Sequence, residues 1–243
     1  MFNKTEQQKT AAKERINSID ALRGLCVLLM VGHHFLYDLA AFAGAPAWLF
    51  YNPLFEVLEP LFAGCFIMLA GVSSRFSRSN IKRGWRVVAA ACLISIVTWY
   101  IGIPIIFGIL HFLGLAMIFY GLTSRFWENL PQKILPWLYA LLVLGAILLL
   151  RLVEVESPYL WIVGFTSDSF ESADYFPLLP WIFVFLFGAY LGQPIKERHL
   201  PAWVYSINPP CLPAIGRRAF LIYLLHQPIL YGLTLLIRQL MFN

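Results

Sequence analysis

Runs of about twenty apolar residues, separated by short charged or proline-containing breaks, recur along the whole of this sequence. At a rise of about 1.5 Å per residue, each run is long enough to cross the hydrocarbon core of a bilayer as a helix. Water is a poor solvent for such a chain. Of its 243 residues, 60% are hydrophobic and 13% charged, against roughly 25% charged in an ordinary soluble domain. The fold class expected is therefore an all-α integral membrane protein, a bundle of about seven transmembrane helices.

The spans are expected at about 19 to 43, 54 to 73, 85 to 102, 105 to 123, 134 to 152, 176 to 193 and 217 to 240, with the junction around Pro104 the weakest. Residues 1–15 read as a polar cytoplasmic tail and 16–243 as a single transmembrane domain. The first apolar run follows that polar stretch and carries Asp20 and Arg23 near its start, so it reads as a retained helix rather than a signal peptide. Orientation follows from the cations. A cytoplasmic N-terminus collects Lys4, Lys9, Lys13, Arg15, Arg75, Arg78, Lys82, Arg83, Arg86, Arg125, Lys133, Lys196, Arg198, Arg217 and Arg218 on the inner side, leaving only Arg151 and Arg238 outside. Glu56, Glu59, Glu154, Glu156, Asp168, Glu171 and Asp174 fall on the opposite face, and the C-terminus ends there.

The same asymmetry accounts for the net charge of +5 without nucleic acid, because no soluble basic domain exists to bind it. Cys26, Cys65, Cys92 and Cys211 lack metal-ligand spacing and read as packing residues. No internal repeat is evident, which weakens a transporter of duplicated halves. The two longest non-apolar stretches, 153 to 175 outside and 194 to 216 inside, are either connecting loops or walls over a cavity.

A charge at the middle of a membrane helix costs roughly 2.5 to 3.5 kcal/mol on insertion scales, so ionisable residues there need a partner, a watery cavity or a task. The first helix has several. At about 100° per residue, Asp20, Arg23, His34 and Asp38 fall within roughly 120° of one another, while His33 points about 100° away from His34. Arg23 and His34 lie about 16 Å apart along the axis, one near the inner surface and the other past the midplane. Asp20 can pair with Arg23 at i, i+3, and His34 with Asp38 at i, i+4. A histidine oriented by a carboxylate is a general base, although a buried hydrogen-bonded histidine is the plainer reading.

His111 and His226 also sit within spans, and Pro228 leaves the carbonyl of Leu224 without its helical donor, a local break beside His226 and Gln227. Asp174 opens the segment before the sixth span, where a carboxylate either recognises a hydroxyl or amine or caps a helix. Arg75, Arg78, Lys82, Arg83, Arg86, Arg217 and Arg218 either bind an anionic head group or hold topology. Walker A, GxSxG and HExxH patterns are absent, and no lysine in the last span offers a retinal Schiff base.

Four ordered blocks carry a family resemblance: Ser18 to Asp38, containing Arg23 and His34 in an Arg-x10-His pattern; Phe107 to His111; Asp174 to Trp181; and Gly216 to Pro228. Together they resemble the bacterial heparan-alpha-glucosaminide N-acetyltransferase-like catalytic family, within the transmembrane acyltransferases. The resemblance implies transfer of an acyl group, usually acetyl from cytoplasmic acetyl-CoA, to a sugar or glycan on the far side of the membrane. It also implies roles. His34 would deprotonate the acceptor or briefly carry the acyl group, and Arg23 would contact the cofactor or hold the helix bundle; with these, the residue reading adds Asp38 as the catalytic partner of His34, Arg83, Arg86 and Arg218 as candidates for the acyl-CoA, and His111, Asp174, His226 and Gln227 as candidates for the acceptor. No metal is called for. The loop after the first helix contains no histidine, where the lysosomal member of the family carries its reactive one, so heparan itself is not carried over. The location implied is a bacterial plasma membrane, with lipid, acyl-CoA and glycan as partners and self-association open. A proton-coupled transporter using the same ionisable residues, and a non-catalytic assembly protein held together by them, are the alternatives.

Overall fold

The computed structural model describes residues 16–155, 157 and 159–242. The tail with Lys4, Lys9, Lys13 and Arg15, together with Glu156, lies outside the described residues. The apolar runs are helices: α1 Asn17–Phe42, α2 Pro53–Arg75, α3 Asn80–Tyr100, α4 Ile109–Asn129, α5 Leu135–Leu152, α6 Leu178–Lys196, the short α7 Ala202–Ser206 and α8 Leu212–Arg217, and α9 Ala219–Phe242. Among the described residues, six segments are long and apolar enough to cross a membrane: Asn17–Phe42, Ala47–Arg75, Ile109–Asn129, Leu135–Leu152, Leu178–Lys196 and Ala219–Met241. The chain is a multi-pass, all-helical membrane protein. α3 has 21 residues, but Lys82, Arg83 and Arg86 in its first two turns dilute its apolar character.

Contacts group the described chain into two compact units, the first from residues up to 66 and from 198 onward, the second from residues 67–197. In the first, α8 lies directly on α1. A Cβ added to Gly24 would overlap the carbonyl oxygen of Leu212, and one added to Gly216 would overlap that of Asp20. Small residues give this close backbone approach, which in lipid replaces hydrophobic driving force with dispersion contacts. α9 then runs alongside α1 and parallel to it, because His34 meets His226, Asp38 meets Gln227, and Phe42 meets Tyr231 in ascending order on both helices. Leu22, Leu25 and Leu28 form an exposed stripe on α1 suited to lipid. The break expected at Pro228 does not form: α9 is continuous through it. Pro228 is exposed, and a proline ring is accommodated in a membrane helix when local adjustments re-satisfy the freed carbonyl.

The second unit repeats the small-residue device. Gly71 of α2 faces the carbonyl oxygen of Phe185, Gly188 of α6 faces that of Met68, and Gly84 and Gly114 bring α3 against α4. Ile67, Phe112, Phe185 and Leu186 are fully buried around these crossings. Replacing Gly188 by leucine would drive a side chain into backbone and separate α2 from α6. α4 starts four residues later than the sequence suggests, because the segment around Pro104 is extended and bonded elsewhere. The amide of Ala173 donates to the carbonyl of Pro104 (3.0 Å), and that of Phe176 to Phe107 (2.9 Å).

Candidate active site

In the first unit, the polar stripe of α1 meets a polar stripe of α9. Asp38 is fully buried and its carboxylate accepts from the amide nitrogen of Gln227, at 2.9 Å and 3.2 Å to its two oxygens. The pairing of His34 with Asp38 allowed by their spacing is not formed. His34 instead faces His226, with ring centroids 5.0 Å apart. A carboxylate one turn along α1 is in reach of the backbone register, but the amide of Gln227, fixed by helix packing, takes it.

Three side-chain atoms in this cluster are buried without a hydrogen-bond partner: Nε2 of His226, Oε1 of Gln227 and Nε2 of His33. For His226 the tautomer follows from its other nitrogen. Nδ1 lies 2.6 Å from the carbonyl oxygen of Tyr223, which can only accept, so Nδ1 carries the proton and Nε2 presents a lone pair. Gln227, whose amide nitrogen is committed to Asp38, presents its carbonyl oxygen. His33 lies against Phe50 and Phe55, 3.9 Å from the exposed Glu59, and its ring is edge-on to His34 at 6.1 Å. Buried polar atoms left open cost about 1 to 3 kcal/mol each; Ser18, Ser77, Asn80 and Thr234 carry one apiece elsewhere among the described residues, whereas here three come from neighbouring side chains of α1 and α9.

At the other end of α1, Arg23 is ion-paired to Asp20 at 2.7 Å, as the spacing predicts. Gly216 sits on the carbonyl of Asp20, so the exposed Arg218, two residues on, follows directly from the contact that fixes this end of α1. Arg83 and Arg86 belong to the second unit. Arg83 is half-buried and donates to the carbonyl of Ser73 (3.4 Å), whereas Arg86 is exposed.

The remaining two sequence candidates lie in the second unit, where both hydrogen-bond to neighbouring protein groups. His111 accepts from the amide of Gly108 at Nδ1 (3.2 Å), and its Nε2 lies 3.2 Å from the hydroxyl of Ser95, which donates onward to Ile105 (2.5 Å). Both ring nitrogens are thus occupied. Asp174 caps a helix, but a distant one: its carboxylate accepts from the amide of Ile109 at 3.0 Å, at the positive end of α4. Arg75, read from the sequence as either a head-group ligand or a topology charge, has its guanidinium joined to Gln193, the hydroxyl of Tyr120 (3.0 Å) and Glu128 in one network, with Gln193 also donating to Glu197.

The model of the family described as heparan-alpha-glucosaminide N-acetyltransferase, catalytic, matches residues 15–228. The chain belongs to that family. No curated protein and no solved structure matches it. The match runs from the start of α1 to Pro228, so it encloses His34, Asp38, His226 and Gln227. This heparan-alpha-glucosaminide N-acetyltransferase-family chain is accordingly a membrane-embedded member of an acetyltransferase family.

Proposed function

We propose that the chain transfers an acetyl group from acetyl-CoA, taken from the cytoplasm, to a sugar or glycan acceptor at the outer face of a bacterial plasma membrane. His34 acts as the general base. The observation that carries this reading is the ring of open, buried polar atoms around His34, provided by His226 and Gln227 in a segment that the family match covers. The parallel course of α1 and α9 supports the topology: two crossings in the same direction need an odd number from one to the other, and counting α3 as a crossing beside the six apolar segments would make seven. With the N-terminus inside, Arg23 and Arg218 lie toward the cytoplasm and His34 past the midplane.

The residues fit the donor in charge and placement. Arg218 is exposed where it can meet phosphates, and Arg23 is held at the same end of α1. The donor supplies the acetyl group and a thiolate leaving group. His226, locked with its Nε2 lone pair open, accepts a hydrogen bond from the acceptor and orients it toward His34. His34 takes the proton from the attacking hydroxyl or amine as the new bond to the acetyl carbon forms, then returns it to the departing thiolate. Gln227, held by Asp38, keeps its carbonyl oxygen aimed into the same space. Transfer is direct, without an acyl-histidine.

The test places radiolabelled acetyl-CoA on one face of proteoliposomes and a glucosamine acceptor on the other. Label on the acceptor, with strict acceptor dependence and no labelled protein, is the expected result. Proton-coupled solute uptake without acetyl-CoA turnover would overturn the enzyme reading. Labelled protein formed without acceptor would replace direct attack by a two-step route.

A further inference from the structure

Neighbouring residues of a helix point about 100° apart, so the adjacent histidines of α1 face different partners. The fold uses both directions. His34 meets His226 of α9, with ring centroids 5.0 Å apart, whereas His33 turns to α2, where its Nε2 lies 3.9 Å from a carboxylate oxygen of Glu59. The two imidazoles are edge-on to each other at 6.1 Å. A line of titratable groups therefore runs from His226 through His34 and His33 to Glu59, all within the first unit. It leads from a buried end to an open one: His226 is 9% exposed, the side chain of His33 15% and that of Glu59 57%.

Stability alone does not account for His33. An ion pair with an exposed carboxylate contributes little, whereas burying Nε2 without a hydrogen-bond partner is costly. Phe50 and Phe55 lie 4.7 and 5.3 Å from the His33 ring, a setting that a phenylalanine would fill without an open polar atom. An ionisable ring kept inside a membrane helix at such a cost has a task. The other titratable groups close by are differently placed. Asp38 is bound to Gln227, Tyr37 packs on Phe50, and Glu56, one turn before Glu59 on α2, is exposed.

Proton transfer needs heavy atoms at about 2.6 to 3.2 Å, or one water between them. Rotation of the exposed Glu59 side chain closes its gap to His33, and a water molecule spans the gap from His33 to His34. The reaction supplies a proton to move. An amine with a pKa of about 8 is mostly ammonium at neutral pH and has no lone pair with which to attack. Its nitrogen must shed two protons to become an amide, and the thiolate takes only one. We propose that His33 and Glu59 form a relay that carries the other proton from His34 to the solution, on the outer side in the topology given above. His34 takes the first proton from the ammonium and passes it through His33 to Glu59 and water. Neutral again, His34 takes the second as the C–N bond forms and returns it to sulfur as the C–S bond breaks. The relay rests on the transfer reaction proposed above and adds two residues to which that reaction gave no part.

The test is the pH dependence of kcat in full-length protein in proteoliposomes, with acetyl-CoA on one face and saturating glucosamine on the other. Above the pKa of the amine, Glu59→Gln and His33→Gln should transfer within about threefold of the parental rate, because the acceptor arrives as free amine. Below it, both should lose about tenfold per pH unit, following the free amine, while the parental kcat falls far less. Glu59→Asp, which keeps a carboxylate, should follow the parental profile. Glu59 is exposed, so its variants stay folded even where His33→Gln does not. A loss of equal size at every pH is what a merely structural role produces and would overturn the relay, as would parental profiles in both Gln variants. Either result leaves the transfer reaction standing, whereas absence of transfer by the parental protein at every pH overturns the reaction and the relay with it.

Discussion

Two polar clusters, one in each unit, treat their hydrogen-bonding groups in opposite ways. Around Arg75 and His111 in the second unit, the groups are tied into complete networks: Arg75 to Gln193, Tyr120 and Glu128, and His111 to Gly108 and Ser95. Around His34 in the first unit, His226, Gln227 and His33 keep atoms buried and open. Complete networks return their desolvation cost as structure, whereas open ones persist when something else will complete them. Residue type alone does not separate the two, because histidine occurs in both. What distinguishes them is how much hydrogen-bonding capacity is left over.

The contrast can be broken most sharply at His34. His34→Ala should lower acetyl transfer by about 100-fold or more with little change in thermal unfolding, as for a lost general base. A parental rate in folded protein would remove the distinction. Arg75→Ala should do the reverse, costing about 2 kcal/mol of stability in a detergent unfolding titration, with turnover per folded molecule nearly parental. That figure is kept low because Glu128 is 42% exposed, which weakens its ion pair. Gln227→Ala leaves Asp38 buried without its donor and should lower transfer about tenfold while also lowering stability, separating it from both previous variants. The smallest effect is expected at His111→Ala, about 1 kcal/mol of stability from the Gly108 amide left without its acceptor at the start of α4 and the lost Ser95 contact.

Much of this was legible in the sequence, and the limit has a physical cause. Hydropathy placed the long helices within a few residues, and helical periodicity aligned Asp20, Arg23, His34 and Asp38, of which the Asp20 and Arg23 pair formed as expected. Periodicity reports only which residues share a face of their own helix. It cannot say that Asp38 will find Gln227, 189 residues away, or that Asp174 will cap α4 across 65 residues, since those partners are set by packing between helices. The start of α4 moved for a related reason: the residues around Pro104 bond to the 172–176 segment, a choice invisible to local apolar content.

The open cluster and the complete networks make different claims on the donor, and a structure of the chain with acetyl-CoA bound distinguishes them most directly. The account predicts the thioester among His34, His226 and Gln227, with the nucleotide phosphates toward Arg23 and Arg218. A thioester seated in the second unit against Arg75 and Gln193, away from His34, would contradict it.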